Sequence, residues 1–410
     1  MKLVVLADEH FSCRSCTDCC RHQMVELFAG EPEQIERLAW PAGDPLIGVK
    51  PFSRHGGKTY LAHRPDGACV FLNQSNGLCR IHEHFGPEAK CIACRIFPFQ
   101  ITPTFAGEAS ISARYDCPTV RRNAGDPHSQ ALPLLRKYTD KWVPTAGFDE
   151  KTRCGLDREQ IEAVAEFIST LMNGFSSNEQ RALFMPYLCD VLSTTARDQL
   201  NRQALGSAFG PLKSLIEAAT MEKVSGGETF RPGIIHRAAF RTLLALHLRR
   251  DEDILDRRAS RVKRLFSMTA FVLGFGSFRG LGLVHPPGKL RRAGLFKGGP
   301  APGAQTFALL WRLTRNKLDA LQFMGPANGG RDFLTGLRSL ALLYPLVLAA
   351  ARHNAAAHDK ETIDAADVDY AVAVIEHSYG RAAVLAKPFV RSIERLLLDR
   401  AAFTRLVRTI

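Results

Sequence analysis

Hydrophobic positions recur at helical spacing through most of the chain beyond Gly155. From residue 157 to residue 173 the apolar side chains stand three and four positions apart, which places them on one face of a helix. Asp157 with Gln160, and Ser176 with Glu179, have the spacing of capping boxes, so each pair predicts a helix N-terminus. The same periodicity predicts five further helices, over residues 236–248, 257–273, 306–322, 333–356 and 367–398.

The first 150 residues have no such long period. Turn-forming clusters such as PAGDP, HGGK, RPDGA and NQSNG interrupt them, and residues 101–113 are typical of two short strands around a glycine turn. The chain is therefore predicted to be mainly α, with a loop-rich N-terminal module with short strands (residues 1–150) and an α-helical C-terminal domain (residues 151–410). The Gly- and Pro-rich residues 274–303 interrupt the second domain, and we expect a connection of this length to be functional or mobile.

Composition is that of a globular protein, with 46% hydrophobic and 23% charged residues. The net charge of +13 favours anionic partners, but the basic residues are dispersed and do not alternate with aromatic residues, so nucleic acid is not favoured. The N-terminal apolar run of five residues is too short for a signal peptide, and the run over residues 339–351 is shorter than the about 20 residues of a membrane span. We therefore expect a cytoplasmic protein with reduced thiols and no membrane partner.

Cysteines supply the strongest chemical signal. Nine of the 11 lie within the first 117 residues. Cys13, Cys16 and Cys19 stand three positions apart, and Cys91 with Cys94 repeats the C-x-x-C unit, which can bring two sulfurs to one metal around a tight turn. Clustered cysteines in an intracellular chain indicate a metal site rather than disulfides. The N-terminal module is therefore predicted to be cysteine-ligated.

Two details of the cluster carry further expectations. Cys19 and Cys20 are adjacent, so we expect their side chains to point in different directions and to serve different metal atoms, or one to ligate and the other to support it. An arginine directly follows four of the cysteines, and a neighbouring cation stabilises the thiolate that binds metal. These arginines are Arg14, Arg21, Arg80 and Arg95.

The order of these motifs resembles the cysteine-cluster family, which is described as a zinc- or iron-chelating domain. The segments CRSCTDCC, GACVFL, CRIHEHFG and CRIFPF follow the family pattern in order over about residues 11–120, with YDCP as the last motif. Where the family usually has proline before its C-R-x-F-P motif, this chain has Cys91, which is either an extra ligand or an incidental thiol. The resemblance implies eight metal ligands: Cys13, Cys16, Cys19, Cys20, Cys69, Cys79, Cys94 and Cys117.

Long members of this family with a helical C-terminal region look like the flagellin lysine N-methylases. That likeness would imply methyl transfer from S-adenosylmethionine to lysine side chains of a protein such as flagellin, with a [4Fe–4S] cluster favoured over zinc. Eight cysteines exceed the need of one cluster, which leaves room for a second metal or for structural thiols. Two alternatives to an enzyme stay open: a structural or interaction module that binds zinc or iron, and a redox or metal sensor.

The remaining candidate residues give weaker signals of a functional role. His22 and His82 lie close to cysteines, but a supporting or surface role is favoured for both. Cys154 and Cys189 are expected to be ordinary thiols, and Cys189 falls within a predicted helix, where free cysteine behaves as a small hydrophobe. Neither the G-x-S-x-G nor the H-E-x-x-H motif occurs, so no catalytic residue is assigned.

Overall fold

The computed structural model describes residues 1–6, 9–142, 147–221, 232–248, 265–266, 269–273, 278–279, 289–290 and 303–410. Long helices form the C-terminal part, while short helices and strands form the N-terminal module, which confirms the predicted mainly α class. The predicted helix over residues 257–273 and the Gly- and Pro-rich residues 274–303 lie mostly outside the described ranges.

A three-stranded sheet forms one part of the module. Phe99–Pro103 and Glu108–Ala113 pair in an antiparallel hairpin, as predicted, and Gly107 with its positive φ of 75° forms the turn. Lys2–Val5 adds to the free edge of Glu108–Ala113 in parallel orientation. This strand was not predicted, because a run of four residues is too short to show a period.

A second hairpin and several short helices complete the module. Phe52–His55 pairs with Lys58–Leu61 around a Gly-Gly turn, and the backbone of residues 25–27 bonds to the second of these strands. The helices are Asp18–His22, Glu31–Glu36, Arg80–Phe85, Ile92–Ile96, Pro118–Arg121, Leu132–Trp142 and Glu150–Arg153.

The C-terminal part is built from long helices. Those described are Arg158–Asn173, Asn178–Thr194, Arg202–Met221, Ile234–His247, Ala308–Asp319, Phe333–Ala341, Leu343–Ala357, Ala365–Ser378, Pro388–Leu397 and Arg400–Thr409. Within the described residues, one stretch, Phe333–Ala357, is long and apolar enough to cross a membrane, but 83% of its most apolar window is buried inside the fold. This burial is that of a core helix and is compatible with a soluble protein.

One capping box is where the sequence placed it and the other is not. Asp157 accepts a hydrogen bond from the Gln160 backbone at 2.9 Å, and the Gln160 side chain accepts one from the Asp157 backbone at 2.9 Å. The second prediction is wrong by one residue, because Ser177 rather than Ser176 has the extended N-cap backbone and accepts from the Gln180 backbone at 3.1 Å.

The prediction of a single helix over residues 367–398 is also wrong. The helix Ala365–Ser378 ends just before Gly380, whose φ is 72°, and a Cβ atom at that position would lie 2.0 Å from the carbonyl oxygen of Ala327. The next α-helix begins only at Pro388, which has no N–H to continue a helix into it. A tertiary contact therefore divides a stretch whose periodicity looks continuous.

The module and the helices share a hydrophobic core. Tyr115, Cys117 and Val120 are buried in the same cluster as the long helices. The Ser110 hydroxyl donates to the carbonyl oxygen of Ala320 at 2.7 Å, which joins the sheet to the helical part. The division into two domains at residue 150 remains a prediction.

A buried ionic network lies at this junction, around Asp116. The Asp116 side chain is 1% exposed and accepts hydrogen bonds from Arg114 and, at 3.0 Å each, from Gln23 and His377. Arg381 lies 3.8 Å away. Burial alone would raise the pKa of the Asp116 carboxyl, but Arg114, His377 and Arg381 outweigh it and hold the pKa below its usual range.

We expect Asp116→Asn to lower the free energy of unfolding by about 3 kcal/mol, because it leaves buried cations without their carboxylate. Denaturant unfolding at neutral pH would measure this. The difference from the unsubstituted protein should shrink as the pH falls below about 4, because the unfolded chain then binds a proton at Asp116 that the folded protein, with its lowered pKa, does not bind. Asp190→Asn is the matched control, because Asp190 pairs with Arg338 at the surface and should cost less than about 1 kcal/mol. Equal losses in both variants would contradict the prediction.

Candidate metal centre

Six cysteines line one cavity of about 420 Å³ in the N-terminal module, which we call the cysteine cavity. They come from four separate chain segments, so tertiary folding and not only local spacing brings them together. Two of them, Cys69 and Cys91, belong to the small buried core of the module. The six are Cys19, Cys20, Cys69, Cys79, Cys91 and Cys94.

Short helices position three of the module's cysteines. Cys79, Cys91 and Cys117 each occupy the N-cap position, immediately before the helices that begin at Arg80, Ile92 and Pro118. Backbone amides in the first turn of each helix lower the pKa of its thiol, against the effect of burial. These amides have no partner within the helix, so they favour a thiolate at the cap.

The helix that carries Cys94 is fixed by a buried carboxylate. Glu31 is 6% exposed; one of its oxygens accepts from the Ile92 backbone at 2.6 Å and the other from the Phe28 backbone at 2.8 Å. Glu31 therefore caps this helix from another segment of the chain and orients Cys91 and Cys94 towards the cavity.

The adjacent cysteines Cys19 and Cys20 behave differently from expectation. Thr17, with a φ of 66°, turns the chain into the helix Asp18–His22, which carries both residues. Their sulfurs lie 4.0 Å apart and line the same cavity. The expectation that they point in different directions is wrong, because the start of this helix brings both side chains to one side. A backbone bond of 2.7 Å from Cys69 N to Cys20 O holds a third thiol next to them.

Three of the predicted ligands do not line the cysteine cavity. Cys13 and Cys16 are exposed on the loop before the first helix, and Cys117 is buried at the junction with the long helices. Cys16 interacts electrostatically with Cys13 and Cys19, and Cys117 interacts with Cys16. These three thiols therefore form a second group beside the cavity.

Burial controls the acidity of most of these thiols. It raises the pKa of Cys69 to about 12 and that of Cys117 to about 11, and it also raises the pKa of Cys79. Cys91 is the exception, because its interaction with the neighbouring Cys94 thiol lowers its pKa. Metal must therefore displace protons from the buried thiols, and metal binding should weaken as the pH falls.

The cations at the cavity are not those that the sequence suggested. Arg80 pairs with Asp44 at 3.1 Å and Arg95 pairs with Glu88 at 2.6 Å, so both are neutralised by carboxylates. The other two predicted arginines, Arg14 and Arg21, are exposed. The cationic side chains that line the cavity are Lys90 and Arg114.

Of the lesser candidates, His82, Cys154 and Cys189 do not line the cavity. His82 is exposed on the helix Arg80–Phe85, and the side chain of His22 lies outside the described part of the structure. Cys189 is buried among helices, as expected. The sulfur of Cys154 lies 3.5 Å from an oxygen of Asp332.

The thiols are spread around the cavity. In the part of the chain that the structure describes, no three His, Cys, Asp or Glu side chains come together as ligands of one ion would. The donor chemistry nevertheless suits a thiophilic metal, because six sulfurs and two cations face one space that contains few other polar groups. The arrangement is that of a candidate thiolate metal centre.

Comparison with known families gives the same class. Residues 12–118 match the model of the CxxCxxCC family, whose description reads "Putative zinc- or iron-chelating domain". This match confirms the cysteine-cluster resemblance for the N-terminal module and its metal-binding character. No curated protein and no solved structure matches the chain, so nothing in these comparisons supports the likeness to flagellin lysine N-methylases.

Sequence reasoning missed two members of the cavity, Lys90 and Arg114, and left the role of Cys91 open. Cys91 had a visible signal, because it forms a C-x-x-C unit with Cys94. Lys90 and Arg114 had none, because neither lies in a periodic segment or a motif that links it to the other cysteines.

We expect Cys91→Ser to lose most of the bound metal, as Cys79→Ser and Cys94→Ser should, because all three sulfurs face the same cavity. Metal per chain, measured by elemental analysis of the purified variants, tests this. Cys154→Ser is the control, since Cys154 lies outside the module core and should leave the metal content unchanged. Full metal retention in Cys91→Ser would show that this thiol is incidental.

Proposed function

We propose that this protein binds an iron–sulfur cluster through the thiols of the cysteine cavity. The observation that carries the proposal is the convergence of six cysteines from four chain segments on one cavity. Four cysteine thiolates are the usual ligand set of a [4Fe–4S] cluster, so the cavity offers enough donors.

The spread of the thiols favours a cluster over one zinc ion. The four sulfurs of a tetrahedral zinc site lie about 3.8 Å apart, given a Zn–S distance near 2.3 Å. Only pairs of thiols, such as Cys19 with Cys20, approach this spacing in the structure. A cluster with several iron atoms accepts ligands that are further apart. When bound, such a group supplies either a fixed structural link or one-electron chemistry.

The second thiol group extends the proposal. Cys13, Cys16 and Cys117 stay predicted ligands, and their position beside the cavity suits either a second metal or an outer contact to the same one. Of the three, Cys117 also belongs to the core that the module shares with the long helices. A metal bound there would link the module to the helical part.

Purification without oxygen should give a brown protein that contains iron and sulfide in near-equal amounts. Visible absorption together with iron, zinc and sulfide analysis makes this measurement. Cys94→Ser, purified in the same way, should be nearly colourless. A colourless unsubstituted protein that contains zinc alone would contradict the iron–sulfur proposal and favour a structural or interaction module.

We further propose, as the finer form of this function, a protein-lysine N-methylase that uses S-adenosylmethionine and acts on a protein such as flagellin. The sequence resemblance is the main support. The cavity adds a second argument, because beyond the thiols it continues along apolar and aromatic side chains that could enclose a small molecule. These side chains are Met24, Phe28, Phe97 and Phe99, with Arg114 beside them.

The methylase proposal requires S-adenosylmethionine to bind when the metal is present. Isothermal titration calorimetry of the metal-loaded protein should show saturable binding, and the same titration of Cys94→Ser should show much weaker binding. Absence of binding to a fully loaded protein would rule against methyl transfer and leave the metal site as a structural or sensing device.

A further inference from the structure

Lys90 places a positive charge against the thiols of the cysteine cavity. It follows the short 3₁₀ helix Pro87–Ala89 and directly precedes Cys91, and its side chain is one of the cavity-lining groups. Among the residues that the structure describes, no carboxylate pairs with its ammonium. By contrast, Lys58 pairs with Glu26 at 2.8 Å at the surface.

Cysteines from three parts of the chain line the cavity together with Lys90, and these are Cys20, Cys79 and Cys94. A buried charge without a partner of opposite sign is costly, so the Lys90 ammonium lacks a compensating charge in this cavity.

A metal–thiolate site would supply the missing negative charge. Four thiolates around a zinc ion, or around a [4Fe–4S] core with two positive charges, leave a net charge of about −2. The nearby arginines do not compensate it, because Arg80 and Arg95 already pair with carboxylates outside the cavity. The Arg114 guanidinium pairs with the Asp116 carboxylate, whose negative charge offsets that of the guanidinium.

We infer that Lys90 is the charge-compensating residue of the metal site, whose ammonium neutralises the metal-bound thiolates and slows the loss of the metal. This inference rests on the proposed metal-binding function. It predicts two opposite effects of one residue. Lys90 should stabilise the protein that holds the metal and destabilise the protein from which the metal has been removed.

Lys90→Met tests both predicted effects in the full-length protein. Methionine keeps most of the length and the apolar stem of the side chain and removes its charge. We expect a chelator such as EDTA to remove the metal from Lys90→Met roughly ten-fold faster, or more, than from the unsubstituted protein. After metal removal, Lys90→Met should unfold at a higher temperature than the unsubstituted protein, because it lacks a buried unpaired charge. A residue that only supports the fold would lower the unfolding temperature in both states.

Two further variants make the test specific. Lys90→Arg keeps the charge, and its rate of metal loss should lie within a few-fold of that of the unsubstituted protein. Lys50→Met makes the same substitution at an exposed lysine of the module and should change neither measurement. Metal loss from Lys90→Met at the unsubstituted rate, or equal loss from Lys90→Arg and Lys90→Met, would overturn the inference. If the unsubstituted protein holds neither iron nor zinc, the proposed function itself fails, and the inference fails with it.

Discussion

The N-terminal module depends on sulfur atoms at positions where other small domains place hydrocarbon side chains. The hydrophobic core beside the cysteine cavity consists of eight buried residues, two of which are Cys69 and Cys91, and three further cysteines pack against it. A core of this size supplies little hydrophobic stabilisation, and small domains usually add metals or disulfides to compensate. The thiols are neutral when protonated and can be buried at small cost, but metal–thiolate bonds would connect four distant segments directly. Folding and metal binding of this module are therefore expected to be one coupled process.

The segment around Cys117 connects the module to the helical part of the protein. Asp116 binds His377 and Gln23, so it links the helix Ala365–Ser378 to the residues that follow the first cysteine motif. Arg121, four residues after Cys117, donates to Asp369 of the same helix at 2.8 Å. These polar contacts join the segment around Cys117 to the long helices.

Local patterns in the sequence predicted the parts of the structure that local forces determine. The C-x-x-C spacing indicated the metal-binding region. The capping box at Asp157 predicted the exact residue at which the helix Arg158–Asn173 begins. Predictions failed where distant contacts decide: Gly380 interrupts a helix because the Ala327 carbonyl lies against it. The site shows the same limit. Its ligands could be proposed from their motifs, whereas their distribution between a cavity and its surroundings depends on how four loops pack.

The charge around the thiols illustrates this limit most directly. An arginine that directly follows a cysteine in the chain need not face the same site. Arg95 follows Cys94 in this way and pairs with Glu88 on the outside. Lys90 and Cys91 instead lie on extended backbone, with ψ angles of 150° and 153°, just before the same helix. Both Lys90 and Cys91 line the cavity. Tertiary packing, rather than proximity in sequence, therefore determines which cation faces the thiols.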